Sequence, residues 1–573
     1  MVRRQPFRAS YPEVRVFSLY RAPSRLKCTR CNITYKIKHT CPGRAHRKRD
    51  PAGKLDDDSQ HLTLVISFLD GANITDKLLD RASAKKRIWG SNGEIQLQEP
   101  SVIPVLSDRS RTETALLRLE QASVIAKSGL SSYSIVKKSR TKDIDTWKFE
   151  ALRVVLHTFP EHRQLDPLYY TSLVEAIIPQ LQHVLPYLDE ETVCNKLDSF
   201  HVARIVNMLL SASYFLEVDW KKKVLDTASR LLKPQDQSLA RIKLRRVALS
   251  RICNKATPEQ QINQLGELSS EFRPVDKRSN ADLGEILLLQ ARVLVDLQRH
   301  RHAFSVLEAF MPWDSEEIST LEQIVMNDIT LIRGEILRYE GNFREARDRF
   351  MQLLGQVPTP PKVTTQLGAV SCELGNFDPV IETLTNELKA LEMAGSIMDS
   401  RNAKRLQLGL ADAHLFKAIR LDSIHGLGSE LREITESIKQ ARRILESLEE
   451  KFKNTDKLRK VGKINRFRIL AALAILEHLQ GSPILALARW DEAQAASRDC
   501  GWSEGYSDMI VMYSKCELMC RLGNTHESEY LLQKALQLYQ TTGRQYHFTG
   551  LGSVWPDYVS NVMRFRHGSR ALD

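Results

Sequence analysis

Two stretches of the sequence carry the same pattern of residues at a fixed interval. "LIRGEILRYEGNFREARDRF" spans residues 331–350, and "QLGAVSCELGNFDPVIETL" spans residues 366–384. A fixed period of this kind, with two helices in each unit, predicts an α-solenoid of stacked helical hairpins. The aligned residues, each pair 34 apart, are Gly334 with Gly368, Gly341 with Gly375, Phe343 with Phe377, Ala346 with Val380, and Phe350 with Leu384.

The residue types fit this interpretation. Gly334 is expected where the two helices of a unit touch, because the missing side chain lets the neighbouring helix approach. Gly341 and Gly375 are expected to end the first helix of their units, where a positive φ is wanted. Small Ala346 and large Phe350 would then fill the contact from the second helix. The pattern resembles the tetratricopeptide repeat.

Looser copies of the unit lie on both sides of this pair. They place small residues or turn glycines at the equivalent positions, namely Ala291, Ala303, Ala474, Gly481, Cys516 and Gly523. We therefore predict an all-α fold with a continuous tetratricopeptide-like solenoid over residues 146–545 and a C-terminal tail over 546–573. Such a solenoid binds its partners along its concave surface.

The resemblance implies which side chains face that concave surface, because the first helix of each unit lines it. The implied residues are Asp328, Leu331, Glu335 and Arg338 in one unit, and Lys362, Thr365, Ala369 and Cys372 in the next. The candidate partner-binding residues are therefore Asp328, Glu335, Arg338 and Lys362. The alternative is that they are ordinary exposed helix positions. Their mixed charges indicate no ligand class.

Residues 61–145 have a different pattern. "HLTLVISFLDGANITDKLL" predicts a short apolar helix, a turn at Asp70-Gly71 and the start of a capped helix. After a polar span, "RTETALLRLEQASVIAKSG" predicts an amphipathic helix ended by Gly129, and "SSYSIVKKSR" alternates as an edge strand does. Two helices followed by a strand pair indicate a small winged-helix-like module.

The order of these motifs resembles the segment between the ATPase domain and the repeats of fungal signal-transduction ATPases of the STAND class. The resemblance covers about residues 61–573. The matching residues are Ser67, Phe68, Leu69, Asp70, Ile74, Leu78, Leu106, Asp108, Ala115, Leu116, Leu119, Ser123, Ile125, Tyr133 and Ile135. It implies the C-terminal half of such a protein, with a winged helix that serves as a spacer and not as a DNA reader.

The ATPase part of that family is missing from the sequence. A phosphate-binding loop needs G-x-x-x-x-G-K followed by Ser or Thr. Gly53-Lys54 is followed by Leu55, and Gly462-Lys463 is followed by Ile464. We also find no nucleophile elbow and no H-E-x-x-H motif. The expectation is a protein that is not an enzyme and that has no nucleotide switch.

The net charge of +13 is concentrated at the N-terminus. Residues 1–49 hold 14 Lys and Arg but one acid, Glu13, so the other 69 basic and 69 acidic residues balance. We expect a basic, disordered arm over residues 1–60. The run Arg44, Arg47, Lys48 and Arg49 is either a nuclear import signal, a phosphate-contacting patch or a solvated tail.

The same arm contains a candidate zinc site. Cys28 and Cys31 are spaced so that both thiolates can bind one tetrahedral ion, and His39 with Cys41, or Cys41 with His46, would complete four ligands. Free thiols in a disordered tail are the alternative. Apart from this candidate zinc, no cofactor is expected.

The sequence thus predicts a non-enzymatic scaffold that binds a protein or peptide in the solenoid groove. The alternative is a regulator of transcription or signalling whose basic arm contacts nucleic acid while the repeats bind a partner. Dispersed cysteines and the lack of an apolar run near 18 residues favour a cytoplasmic protein, with a nuclear location through the arm as the other option. Mitochondrial import is disfavoured by Pro6, Pro12 and Pro23.

Overall fold

The computed structural model describes residues 55–128, 132–137, 141–162, 167–253, 256–297, 299–354, 361–393, 401–425, 432–453, 460–500, 505–542 and 554–567. Residues 1–54 of the predicted basic arm, with the predicted zinc ligands Cys28, Cys31, His39 and Cys41, lie outside the described residues. The predicted end of the arm at residue 60 was wrong, because a helix already begins at Asp57, capped by the Asp56 side chain. The fold is mostly helical, as predicted. A small mixed module comes first and paired helices follow.

The first module has the arrangement of a winged helix. One antiparallel sheet has the strand order β1-β5-β4, and β4 with β5 forms the wing. Asp56 caps the first helix and Thr75 caps the second, each through its side-chain oxygen. The elements are α1 (Asp57–Ser67), β1 (Ile74–Thr75), α2 (Asp76–Ser83), β2 (Lys86–Trp89), β3 (Ile95–Gln98), α3 (Pro104–Ser107), α4 (Arg109–Gln121), β4 (Ile125–Lys127) and β5 (Ser132–Ile135).

Two details of the predicted module were wrong. Helix α4 ends at Gln121, not at Gly129, because Ser123 takes a positive φ of 58°. The Val124 N–H then bonds to the Leu119 carbonyl and the chain turns into β4, in the hydrogen-bond pattern of a glycine-type helix stop. The predicted edge strand, β5, lies in the centre of the sheet, between β1 and β4.

The polar span between α2 and α3 forms a hairpin that the sequence analysis did not predict. Strands β2 and β3 pair from Lys86 with Gln98 to Trp89 with Ile95. Trp89 is buried in a cluster with apolar residues of the later helices. The hairpin therefore fixes the first module to the helical repeats.

The remaining described chain is helical apart from its connections. The first part comprises α5 (Ile144–Thr158), α6 (Pro167–Val184), a 3₁₀ turn (Leu185–Asp189), α7 (Glu191–Cys194), α8 (Ser199–Ala212), α9 (Val218–Arg230), α10 (Ser238–Ile252) and α11 (Pro258–Glu271). One apolar core runs from the first module through these helices as far as Leu249 in α10.

Six helical hairpins follow, each with a first and a second helix. They are α12 (Lys277–Asp296) with α13 (His300–Glu308), α14 (Thr320–Tyr339) with α15 (Phe343–Leu353), α16 (Pro361–Glu373) with α17 (Phe377–Met393), α18 (Arg401–His425) with α19 (Arg432–Lys451), α20 (Lys460–Leu479) with α21 (Pro483–Asp499), and α22 (Tyr506–Arg521) with α23 (Thr525–Thr542). The predicted solenoid of paired helices is present.

The turn glycines behave as the repeat pattern predicts. Gly341, Gly375, Gly481 and Gly523 have φ values of 83°, 86°, 74° and 75°. In each turn the residue after the glycine donates its N–H to a carbonyl five residues earlier, as Asn342 does to Leu337. Four hairpins thus have the same turn conformation, although their sequences differ elsewhere.

Gly334 also has its predicted role. A Cβ at this position would lie 2.6 Å from the Phe350 ring, far inside van der Waals contact. Phe350 and Ala346 are both fully buried. The first and second helices of this hairpin can approach so closely because residue 334 has no side chain.

The predicted C-terminal tail contains a helix. Residues Val554–His567 form α24, and Trp555 in its first turn is fully buried. No element is predicted for this segment from the sequence.

Candidate partner-binding groove

The first helices of the hairpins lie side by side and line the concave face of a solenoid of this type. Three ion pairs and one histidine–carboxylate contact join neighbouring first helices along this face. The pairs are Arg292–Asp328 between α12 and α14, Lys362–Glu335 between α14 and α16, Arg468–Asp412 between α18 and α20, and His478–Glu517 between α20 and α22. This row of charged side chains is the candidate groove.

Three of the four predicted residues come together in one network. The Lys362 ammonium lies 2.6 Å from Glu335 Oε1, and Gln366 Nε2 donates to the same oxygen at 2.9 Å. Arg338 Nη1 donates to Gln366 Oε1 at 2.8 Å. Glu335 and Arg338 are only 7% and 9% exposed. Their charged groups therefore mainly contact residues of α16 and hold α14 against that helix.

Burial also changes the chemistry of Lys362. Loss of water around the ammonium lowers its pKa, and the adjacent Glu335 carboxylate opposes that shift. The side chain keeps 30% of its exposure. A charge held in this way by an internal partner is a weaker contact for a second protein than a free one.

Asp328, the fourth predicted residue, is the more accessible one. It lies on α14, two turns before Glu335, and its side chain is 46% exposed. Its Oδ2 atom is 3.8 Å from Arg292 Nη2 on α12, and Arg292 is 41% exposed. This loose pair is the most exposed of the four in the row.

Arg292 was missed by the sequence analysis, although a signal for it existed. Ala291 occupies the position of Gly334 in the preceding unit, so Arg292 corresponds to Glu335. Two other implied positions do not face the groove. Leu331 and Cys372 are buried in apolar clusters, because the first helix also packs on its own second helix.

The contacts among α18, α20 and α22 are less exposed to solvent than those among α12, α14 and α16. Asp412 is 6% exposed, and burial raises the pKa of its carboxyl although the Arg468 guanidinium opposes this. His478 and Glu517 are fully buried, with 2.8 Å between Nε2 and Oε2, and Arg521 Nε donates to Glu517 Oε1 at 2.6 Å. Burial raises the pKa of Glu517, but the hydrogen bond with His478 and the nearby Arg521 guanidinium lower it overall.

The described residues do not contain a cluster of three or more His, Cys, Asp or Glu side chains that could hold a metal ion. Within the same ranges, the helices are too short or too polar for any of them to cross a membrane.

Comparisons with known proteins show a distant likeness to solved structures. No family model matches the chain, and the comparison with curated proteins gives no match. Among solved structures, the chain is similar to a signal transduction ATPase with numerous domains (STAND) that has a tetratricopeptide repeat sensor, from Pyrococcus horikoshii. The identity is 14% and the TM-score is 0.41, over 85% of this chain and 63% of that protein.

Proposed function

We propose that this chain is a non-enzymatic scaffold that binds a protein partner through the concave face formed by α12, α14 and α16. The observation that carries the proposal is the half-exposed pair of Arg292 and Asp328 beside the buried network of Glu335, Arg338 and Lys362. The buried network fixes the spacing of the helices. The open pair presents one positive and one negative group to a partner.

A partner that fits this surface has charges of both signs along an extended segment or a helix. Its acidic group would meet Arg292 and its basic group would meet Asp328. Charge complementarity of this kind sets register and suppresses wrong partners more than it adds affinity. The partner class is therefore a peptide segment with spaced opposite charges.

The test uses the full chain as bait in native extract, with quantitative mass spectrometry of the bound proteins. A double variant, Arg292→Asp with Asp328→Arg, keeps an ion pair between α12 and α14 but exchanges the positions of its charges. The matched control is Glu345→Arg with Arg349→Glu, an exposed pair within α15.

The proposal expects a protein that the wild-type and control chains retain and that the groove variant loses by about tenfold, which corresponds to about 1.4 kcal/mol. That protein must then bind the purified wild-type and control chains more tightly than the purified groove variant. Equal retention by all three chains would contradict the proposal.

A second candidate function rests on the charge of residues 1–49. With 14 basic side chains and one acid, this segment can contact the phosphates of nucleic acid in a regulator. The winged helix is a poorer candidate, because the arginines of α4 have acidic partners in the module. Arg111 pairs with Asp58 at 2.6 Å, Arg118 with Asp56, and Arg109 with Glu113 at 2.9 Å.

Binding of DNA or RNA by the full chain, measured at several salt concentrations, tests this second function. A steep loss of affinity with salt, together with loss of binding on deletion of residues 1–50, would support it. Binding that survives the deletion would contradict it.

A further inference from the structure

Helix α24 has the pattern of a helix that binds in a groove. Its buried residues recur at intervals of three and four along one face, and the residues on the opposite face are exposed. The buried stripe consists of Trp555, Tyr558, Val559, Val562 and Met563, and the exposed face carries Asp557, Asn561 and Arg564. Amphipathic helices use this spacing of anchors when they bind to other proteins.

The stripe of α24 contacts three successive first helices. Trp555 Nε1 donates to Ser514 Oγ of α22 at 2.9 Å, and the Tyr558 hydroxyl donates to Asp422 Oδ2 of α18 at 2.8 Å. The rings of Trp555 and of His478 on α20 meet in a T-shaped arrangement, with 5.0 Å between centroids. The helix therefore reaches across a groove whose walls are α18 and α22.

Burial shows on which side of the hairpins α24 lies. Every residue from Ile469 to Leu476 of α20 is buried, so this first helix is covered on all sides. By contrast, the buried residues of the second helix α19 form a single stripe, from Ile434 to Leu448. Because α24 contacts α18, α20 and α22 while α19 keeps an exposed side, we place α24 over the row of first helices, the row that also carries Arg292 and Asp328.

Polar contacts make the binding of α24 to these helices specific. Tyr513 and Ser560 join α22 to α24 through their hydroxyls at 3.0 Å. Burial, and next the neighbouring Asp422 carboxylate, raise the pKa of Tyr558, so its hydroxyl stays protonated and donates. A helix without donors at the positions of Trp555 and Tyr558 would leave Ser514 and Asp422 without these partners.

We infer that α18, α20 and α22 form a binding site for an amphipathic helix, and that α24 occupies it as an intramolecular ligand. The inference rests on the proposed function, since it assigns partner binding to the same concave face. The external ligand is a helix of a partner protein with an aromatic donor at positions i and i+3 and aliphatic residues at i+4, i+7 and i+8. Such a helix displaces α24.

The test follows the binding of a fluorescein-labelled peptide of residues 553–568 to the full chain by fluorescence anisotropy. The apparent affinity is the intrinsic affinity multiplied by the fraction of chains with an open groove. Tyr558→Phe removes a hydrogen bond of α24 but leaves the groove unchanged. It should strengthen peptide binding about tenfold.

The matched control is Tyr530→Phe on α23, whose side chain is exposed and which should bind the peptide as the wild type does. A peptide with Trp555→Ala should bind at least about tenfold more weakly to the Tyr558→Phe chain. Equal binding by the two tyrosine variants, or by the two peptides, would overturn the inference.

A measurement on the wild-type chain covers the case in which Tyr558→Phe disturbs the fold. Millimolar peptide should speed the amide hydrogen exchange of Val559 to Met563 in α24, because it competes for the groove. Unchanged exchange would overturn the inference.

The Arg292→Asp with Asp328→Arg chain separates this inference from the proposed function. It should bind the peptide normally even where it loses the partner. If the Arg292→Asp with Asp328→Arg chain retains the partner as the wild type does, the proposed function is contradicted. If the expected changes in peptide binding and in hydrogen exchange do not occur, the inference is contradicted.

Discussion

Glu94 and Thr320 are 226 residues apart in the sequence, and Glu94 Oε1 accepts a hydrogen bond of 2.6 Å from the Thr320 backbone N–H. Its second oxygen accepts one from the Thr320 hydroxyl. Thr320 is the first residue of α14, so a carboxylate from the β2–β3 hairpin lies at the positive end of a repeat helix. This contact fixes the winged-helix module to the repeats.

We predict that Glu94→Ala costs about 1 kcal/mol, as the loss of a helix-capping side chain does. The amides in the first turn of α14 should exchange faster with solvent than in the wild type. Glu99→Ala is the control, since Glu99 is 71% exposed and pairs with the exposed side chain of Lys85. Equal exchange in the two variants would show that the hairpin does not stabilise α14.

A second prediction concerns the contact between Gly334 and Phe350. Gly334→Ala would place a methyl group 2.6 Å from the ring, so we expect a loss of about 1–3 kcal/mol and a lower melting temperature. Gly368→Ala should cost less, because the nearest atom there is Val380 Cγ1 at 3.1 Å. Phe350→Leu should partly rescue Gly334→Ala. A Gly334→Ala chain that melts with the wild type would refute this packing.

The turn glycines allow a cleaner test of backbone conformation. A Cβ at Gly375 would meet nothing within 4 Å, yet φ is 86°. Gly375→Ala should therefore cost about 1–2 kcal/mol through the left-handed backbone alone. Gly375→Asn should cost less, since asparagine tolerates this region. Calorimetric melting of both variants would show the order, and a neutral alanine would be inconsistent with the turn.

Stability should fall as the pH drops from about 6.5 to about 4. His157 is fully buried, and burial lowers its pKa from 6.5 to about 4. Between these values the unfolded chain binds a proton that the folded chain does not. Stability is thus fully present above 6.5 and is lost on acidification, by at most about 3 kcal/mol.

His157→Gln should flatten this dependence in urea unfolding at pH 7 and pH 5. Glutamine can keep a donor towards the Ala84 carbonyl, which His157 Nε2 contacts at 2.9 Å. Exposed His526→Gln serves as the control. An unchanged slope in the His157 variant would assign the acid sensitivity to other groups.

The sequence was informative where a local constraint decides the structure. The glycine turns and the contact at Gly334 follow from backbone conformation and from a single missing side chain, so their residues reveal them. The paired helices followed from the same spacing. The helix stop at Ser123 did not, because a serine with a positive φ gives no such signal.

What the sequence could not show depends on contacts between distant segments. The hairpin around Gly93 is polar because its partner is the end of α14, which lies far along the chain. Glu335 and Arg338 looked accessible, but α16 buries them. Helix α24 looked like a tail because its groove is made by three other helices.

The concave face as the binding surface is the central claim, and site-specific photo-crosslinking tests it most directly. A photoreactive benzoylphenylalanine would replace Asp328 in the groove or Arg347 on the second helix α15, where the side chain is 43% exposed. Irradiation in native extract should produce a discrete adduct of one partner from position 328 and none from position 347. Adducts of equal yield at both positions, or at position 347 alone, would contradict binding through the concave face.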